Sequence, residues 1–329
     1  MNVGLIDVDG HNYPNLCLMK LSAYHKSLGD NIGMWQADSH YDFVYMSKVF
    51  SDVYSPDIPE PNNADIVIKA GTGYAIWLEG DREVYHRDYD ALLPDNIEHI
   101  YPDYSIYPEY TGFGKHIRYQ TAYGFLTRGC PRGCSFCHVA AKEGKCSVKV
   151  ANLNEFWRGQ GKIVLCDPNI LACKDSPELF EQLIKSGSKI DFNQGLDARL
   201  ITNEKAEMLA SMNLYRPHFA MDKMSDVNVV INGLIKFKNA KVKHDGKWNM
   251  REKRVFVLTN FDTTFEEDLY RVNLLRENEY IPYVMIYNKP SAPAILKRLQ
   301  RWCNFPAAFH SAKDFWEYQK YTYKEVLYE

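Results

Sequence analysis

Short apolar runs alternate with amphipathic segments along most of the chain. Val3 to Val8 (VGLIDV) has the pattern of a buried strand, and Leu16 to Leu28 that of a helix ended by Gly29. Asp42–Met46 (DFVYM) and Ala64–Ala70 (ADIVIKA) predict two further strands, the second running into Gly71-Thr72-Gly73. Strand, helix and strand joined by Gly-containing turns predict a parallel sheet with helical crossovers. The stretch from Ile100 to Tyr110 (IYPDYSIYPEY) carries Pro102 and Pro108 and predicts an extended linker. A second alternating series follows, with strands expected at Ala122–Thr127, Lys162–Cys166, Lys189–Phe192, His218–Met221, Val255–Leu258 and Tyr283–Tyr287. Helical patterns at Pro177–Ser186, Asn203–Met212 and Glu266–Asn278 separate some of them. Repeated strand–helix units of this kind predict an incomplete parallel barrel.

The expected class is therefore α/β. Residues 1–110 form a Rossmann-like parallel-sheet domain and residues 111–290 the partial barrel. Residues 291–329, with Trp302, Phe305, Phe309, Phe315 and Trp316, form a C-terminal helical cover. Lys236–Arg254 holds many Lys and Arg with only Asp245 and Glu252 as acids, and is expected to be a solvated insertion rather than a nucleic-acid platform.

Composition adds bounds. The 329 residues are 46% hydrophobic and 25% charged, enough apolar material for a full core. A net charge of −3 does not call for a polyanionic partner, so nucleic acid is not the expected one. The first apolar run is interrupted by Asp7 and Asp9 with no basic segment before it, and no stretch has the length of a membrane span. A cytoplasmic protein is expected. Eight cysteines in such a chain point to metal or catalytic use rather than a disulfide framework.

Residues 124–138 read Gly-Phe-Leu-Thr-Arg-Gly-Cys-Pro-Arg-Gly-Cys-Ser-Phe-Cys-His. Cys130, Cys134 and Cys137 thus form C-x3-C-x2-C at the mouth of an expected strand. Three thiolates on one tight loop can hold three corners of a cubane cluster and leave the fourth iron open. Gly129, Pro131 and Gly133 suit the sharp path. Cys146 or His138 could instead complete a structural zinc site. Phe136 suits a flat ring packed beside the cluster, or simply the core.

This loop resembles the signature of the radical S-adenosylmethionine (SAM) superfamily, C-x3-C-x-aromatic-C after the first barrel strand. The resemblance covers about residues 120–290. It implies a partial (β/α)6 barrel and a [4Fe-4S] cluster whose free iron chelates the amino and carboxylate groups of SAM. It further implies reductive cleavage to a 5′-deoxyadenosyl radical, with a flavodoxin- or ferredoxin-type electron donor. In similar enzymes polar groups after the second strand meet the SAM amino group, which makes Asp167 and Asn169 candidates; a Pro-bearing turn is the alternative. After the third strand Asn193, Asp197 and Arg199 share one side if Gly195 does not kink the chain. Arg199 is the candidate clamp for the SAM carboxylate, against a purely structural Asp197–Arg199 pair. Asp222, Asn260 and Asp262 follow later strands and could line a substrate pocket, while Asp262 and Thr263 could instead cap a helix.

The first domain resembles the cobalamin-binding domain of one branch of the superfamily. Asp9-Gly10-His11 begins its Asp-x-His pattern, but Pro14 stands where the family has Gly, and a degenerate domain without cobalamin is expected. Asp9, His11 and Asn12 follow the first strand, where open α/β sheets bind ligands, and are candidate substrate contacts. The expected function is hydrogen abstraction from a small molecule. The alternatives are a cobalamin-dependent radical methyltransferase and a non-catalytic iron–sulfur or zinc module. The compact layout with a degenerate first domain is similar to that of queuosine lyases, which release the base queuine from its nucleoside.

Overall fold

The computed structural model describes residues 1–10, 13–80, 82–250 and 253–322. They form two compact units, Met1–Pro168 with Cys173–Asp175, and Asn169–Ala172 with Ser176–Glu329.

The first unit runs β1 (Asn2–Asp7), α1 (Leu16–Ser27), β2 (Asn31–Met34), β3 (Tyr41–Ser47), β4 (Ala64–Ala70), β5 (Ile76–Glu79), β6 (Arg82–Tyr85), α2 (Asp95–Glu98) and α3 (Pro108–Thr111). It continues through β7 (Thr121–Gly124), β8 (Thr127–Arg128), α4 (Val139–Glu143), β9 (Val148–Lys149) and β10 (Lys162–Leu165). Four strands form a parallel sheet in the order β2-β1-β3-β4. Val3 and Leu5 of the central β1 are fully buried, as an apolar run in a sheet covered on both faces requires. On one face Leu18 and Leu21 of α1 pack on Leu5 with Ile97; on the other Ile6 packs with Tyr41, Val44 and Met46. Asn15 starts α1 by accepting a hydrogen bond from the Leu18 amide at 3.2 Å. The chain leaves β1 for β2 on one side and reaches β3 on the other, so the switch point lies between the carboxyl ends of β1 and β3. β5 and β6 form an antiparallel hairpin, while β7 and β10 pair in parallel with Tyr123 opposite Val164.

The 100–110 stretch departs from the expected extended linker. It holds a 3-10 turn at Tyr104–Ile106 and then α3, with Pro108 in the first helical position, where its missing amide costs no hydrogen bond. The Tyr104 hydroxyl, buried, donates to the Phe156 carbonyl at 2.6 Å and anchors this turn under β7.

The second unit carries α5 (Ser176–Ser186), β11 (Lys189–Phe192), α6 (Asn203–Ser211), β12 (His218–Ala220), α7 (Val227–Asp245), β13 (Arg254–Thr259), α8 (Phe265–Glu277), β14 (Ile281–Ile286), α9 (Ala294–Asn304), α10 (Pro306–Ser311) and α11 (Phe315–Thr322). β12, β13 and β14 form a parallel sheet, with Phe219 opposite Val255 and Val257 opposite Val284. Parallel bridges Ile190–Leu214 and Leu196–Phe219 tie the β11 segment to the one leading through β12. The chain is thus α/β with several parallel sheets. Among the described residues no helix is long and apolar enough to cross a membrane.

The basic stretch from Lys236 is not a solvated insertion through 245. It belongs to α7, which buries Val230, Leu234, Phe237 and Ala240 at helical spacing. Its lysines lie outside that stripe, where Lys238 meets Glu279 and Lys243 meets Glu207. The C-terminal aromatics divide. Trp302, Phe309 and Phe315 form a buried cluster with Val284 and Leu299, whereas Phe305 and Trp316 are exposed.

One buried charge braces the strand ends. Arg271 of α8 is fully buried and donates to the carbonyls of Met221 at 2.6 Å and Leu258 at 2.7 Å, and to Asp268 at 2.5 Å. It thereby ties the ends of β12 and β13 to α8. Removing one member of a buried ion pair strands the other charge, so Arg271→Ala is expected to cost about 3–5 kcal/mol in urea unfolding. A cost below about 1 kcal/mol, the range of exposed pairs, would show that the network is dispensable.

Candidate functional site

The cysteine loop grows from the end of β7. Phe125 and Leu126 lead into β8, residues 129–138 form the loop, α4 turns the chain, and β9 returns antiparallel to β8 with Arg128 opposite Val148. Two carboxylates fix its entry. Asp167, buried just after β10, accepts hydrogen bonds from the amides of Leu126 (3.1 Å) and Thr127 (2.6 Å) and from the Thr127 hydroxyl (2.7 Å). Glu143 accepts from the Gly129 amide at 3.0 Å and from Arg128 at 2.9 Å, and the Arg128 guanidinium lies 3.4 Å from the centre of the Phe125 ring. Gly129 has φ of 85°, and a Cβ there would sit 2.1 Å from the Cys146 carbonyl oxygen, so only glycine fits. Within the loop the Cys137 amide donates to the Cys134 carbonyl at 2.9 Å.

All eight cysteines are thiols. Cys130, Cys134 and Phe136 are half-buried and Cys137 is exposed. Soft thiol donors on a glycine-bearing loop suit a thiolate-ligated iron–sulfur cluster. Among the described residues no group of three or more His, Cys, Asp or Glu side chains is gathered at metal-holding distance.

Asp167 is engaged differently from its proposed contact with an amino group, since the backbone of Leu126 and Thr127 occupies its oxygens. Burial pushes its pKa up to about 6, partly offset by those hydrogen bonds.

The second unit gathers another set. Asn169 donates to Asp197 at 3.1 Å. Arg199 forks onto Asp197 through Nε at 2.7 Å and Nη2 at 3.1 Å, and Nη1 reaches Asp226 at 2.5 Å. Burial disfavours the Arg199 charge, but Asp197 and Asp226 outweigh it and hold its pKa above the ordinary value. The structure therefore displays the Asp197–Arg199 pair and adds Asp226, which the strand pattern did not bring forward. Gly195, with φ of 86°, does kink the chain, and Asn193 is exposed rather than aligned with Asp197 and Arg199 by strand alternation. Asp222 accepts from the Leu258 amide at 3.2 Å, and burial raises its pKa. Asn260, with φ of 61°, donates to the Tyr287 carbonyl at 2.8 Å. Asp262 is exposed, and the cap of α8 is neither Asp262 nor Thr263 but Thr264, boxed with Glu267.

In the first unit Asp9 accepts from the amides of Val49 (2.5 Å) and Phe50 (3.3 Å) beyond β3. Asp7 accepts from the Tyr107 hydroxyl at 2.6 Å. Tyr13 lies edge-on to Tyr123, and its hydroxyl is 2.7 Å from the Cys166 thiol at the end of β10. His11 and Asn12 lie outside the described residues.

No protein-family profile matches the chain. It is similar to the guanine nucleotide-binding protein alpha-2 subunit of Mycosarcoma maydis, at 28% identity over 107 residues, which are 31% of this chain and 28% of that protein. The chain thus spans well under half of the relative's length. A P-loop nucleotide cradle needs G-x4-G-K followed by Ser or Thr. None of the pairs Gly114-Lys115, Gly144-Lys145, Gly161-Lys162 and Gly246-Lys247 is so followed.

The position of Asp167 sets a pH dependence. Its folded pKa of about 6 exceeds the ordinary 3.8, so the folded protein binds this proton more tightly. The stability it contributes is fully present below about 4 and is lost as the pH rises through about 6. The stability of wild type relative to Asp167→Asn should therefore fall across that window by on the order of 2–3 kcal/mol. Urea titrations at a series of pH values check it, and parallel curves for the two proteins would refute it.

Proposed function

We propose that this protein is a radical SAM enzyme. The reading rests on one observation: a C-x3-C-x-aromatic-C loop that follows the parallel strand β7 in an α/β chain. In this reading Cys130, Cys134 and Cys137 hold a [4Fe-4S] cluster, and the strand–helix units from β7 to β14 belong to a partial (β/α)6 barrel. When bound, the cluster and SAM together supply an electron-driven cleavage that yields a hydrogen-abstracting adenosyl radical. The chain's own residues position this chemistry. Asp167 and Glu143 hold the loop entry from both sides, and Gly129 lets the returning strand pack against it. Phe136, half-buried, is the residue directly before Cys137. Arg199 presents a guanidinium for the SAM carboxylate by exchanging one of its two aspartate partners.

The substrate proposed is a free nucleoside, and the reaction a lyase step of the queuosine type that releases the base. A chain of net charge −3 suits a small nucleoside better than a whole nucleic acid. A flavodoxin- or ferredoxin-type protein is the proposed reductant. A second reading is favoured by one contact: the Cys146 backbone packs on Gly129, which puts a fourth cysteine at the base of the same loop. A closed four-thiolate site there would be structural and not catalytic.

Anaerobic reconstitution separates the two. The first reading expects about four irons per chain, abolished when Cys130, Cys134 and Cys137 are replaced by Ala but retained in Cys146→Ser. The reduced protein is then expected to convert SAM to 5′-deoxyadenosine and methionine, with queuine released when queuosine is present. Arg199→Ala is expected to weaken SAM binding about tenfold or more, as the loss of a charge-assisted hydrogen bond does. Stoichiometric zinc without iron, lost in Cys146→Ser, would establish the second reading.

A further inference from the structure

A continuous line of contacts within the first unit links the switch point of the four-stranded sheet to the cysteine loop. Asp9, after β1, holds the amides of Val49 and Phe50 after β3. The next residue, Ser51, is buried and donates its hydroxyl to Glu83 Oε1 of the β5–β6 hairpin. The second oxygen of Glu83, Oε2, lies 4.0 Å from Nε2 of His138, the residue directly after Cys137. A second link runs alongside, from Tyr13 to Cys166 and Tyr123. The carboxyl ends of β1 and β3 and those of β7 and β10 therefore converge on the same side of this unit. In open parallel sheets that is where ligands bind.

The Glu83–His138 separation carries chemical information. At 4.0 Å the two atoms are beyond direct hydrogen bonding. One hydroxyl oxygen placed about 2.8 Å from each spans the gap with ordinary geometry. It would donate to the carboxylate and accept from the ring nitrogen, a pairing that only a group with both capacities satisfies. Both side chains keep about a quarter of their surface exposed, 24% for Glu83 and 28% for His138, so a ligand can reach them. Ser51 fixes Glu83 from behind, which leaves Oε2 as the oxygen facing His138.

We infer that Glu83 and His138 recognise a sugar hydroxyl of the substrate, with the hairpin serving as the part of the first unit that orients a nucleoside beside the cysteine loop. This rests on the nucleoside reading above and assigns the hydroxyl-binding contact within it. The substrate class is a nucleoside with an intact ribose. Glu83→Gln keeps an oxygen for Ser51 and replaces the anionic acceptor by an amide, so the fold is conserved while the contact is lost.

Equilibrium dialysis with queuosine, on cluster-loaded protein in the presence of SAM, tests the assignment without turnover when no reductant is added. Glu83→Gln and His138→Phe are each expected to raise the queuosine dissociation constant about tenfold or more. Iron content and SAM affinity should match wild type. The 2′-deoxy and 3′-deoxy analogues form the second arm: one of them should bind wild type about tenfold more weakly than queuosine, yet lose little further affinity in Glu83→Gln. Unchanged queuosine binding in both variants would overturn the assignment and leave the nucleoside reading standing. If wild type cleaves SAM but binds neither queuosine nor its analogues, the assignment and the nucleoside reading fall together.

Discussion

The cysteine loop depends on a carboxylate placed where water cannot reach it. Asp167 is nearly fully buried, and an isolated ionised carboxylate there would be strongly disfavoured. What makes it tolerable is that its oxygens take the amides of Leu126 and Thr127 and the Thr127 hydroxyl. The exchange is mutual. The chain leaves its strand ladder after Gly124, and the amides of Leu126 and Thr127 need an acceptor. Asp167 supplies one from the end of the neighbouring strand β10. The first cysteine lies only three residues beyond Thr127, so the geometry of the loop starts from this contact.

The same device recurs at other strand ends. Arg271 takes up carbonyls of Met221 and Leu258 that their ladders do not use, and Asp222 takes the Leu258 amide. Asp9 takes the amides beyond β3. Where a parallel strand stops, its last backbone groups lose their partners, and here buried or half-buried charged side chains replace them. Such positions are costly to leave half-satisfied, and this holds the chain ends around the loops to one conformation. Polar residues at strand ends are therefore not by themselves evidence of a binding site. Asp167 and Asp222 are engaged with backbone, and Asp197 with Arg199. Glu83 differs, because one of its oxygens is fixed by Ser51 and the other lies 4.0 Å from an imidazole nitrogen, too far for a direct hydrogen bond.

Much of the fold was legible in the sequence because parallel strands covered on both faces leave uninterrupted apolar runs. VGLIDV is the plainest, and β1 falls on it within a residue; ADIVIKA coincides with β4, which is an edge strand and only partly covered. The short edge strand β2 was not legible. It is four residues long with both ends exposed, and Gly33 breaks its pattern. The β5–β6 hairpin was missed for a related reason: its Trp77 and Leu78 are consecutive and both exposed, so no alternation marks it. α7 was obscured by lysines that cover the outer face of a helix with an apolar inner stripe. Of the candidate site, the cysteines stand out by spacing. Their supports, Glu143 and Asp167, are ordinary acids in the sequence, and only the pairing of β8 with β9 and of β7 with β10 shows what they hold.

The hairpin made by β8 and β9 also bears on whether the cysteine site is open or closed. Gly129 packs against the carbonyl of Cys146, and the Cys130 amide donates to the Gly144 carbonyl, so the returning strand is held by its backbone. Glu143 reinforces this by bonding Gly129 and Arg128 from the end of α4. Backbone contacts of this kind fix where the Cys146 main chain lies without requiring its thiol to ligate anything. Cys146 and Cys137 are both exposed, so exposure does not set the two thiols apart.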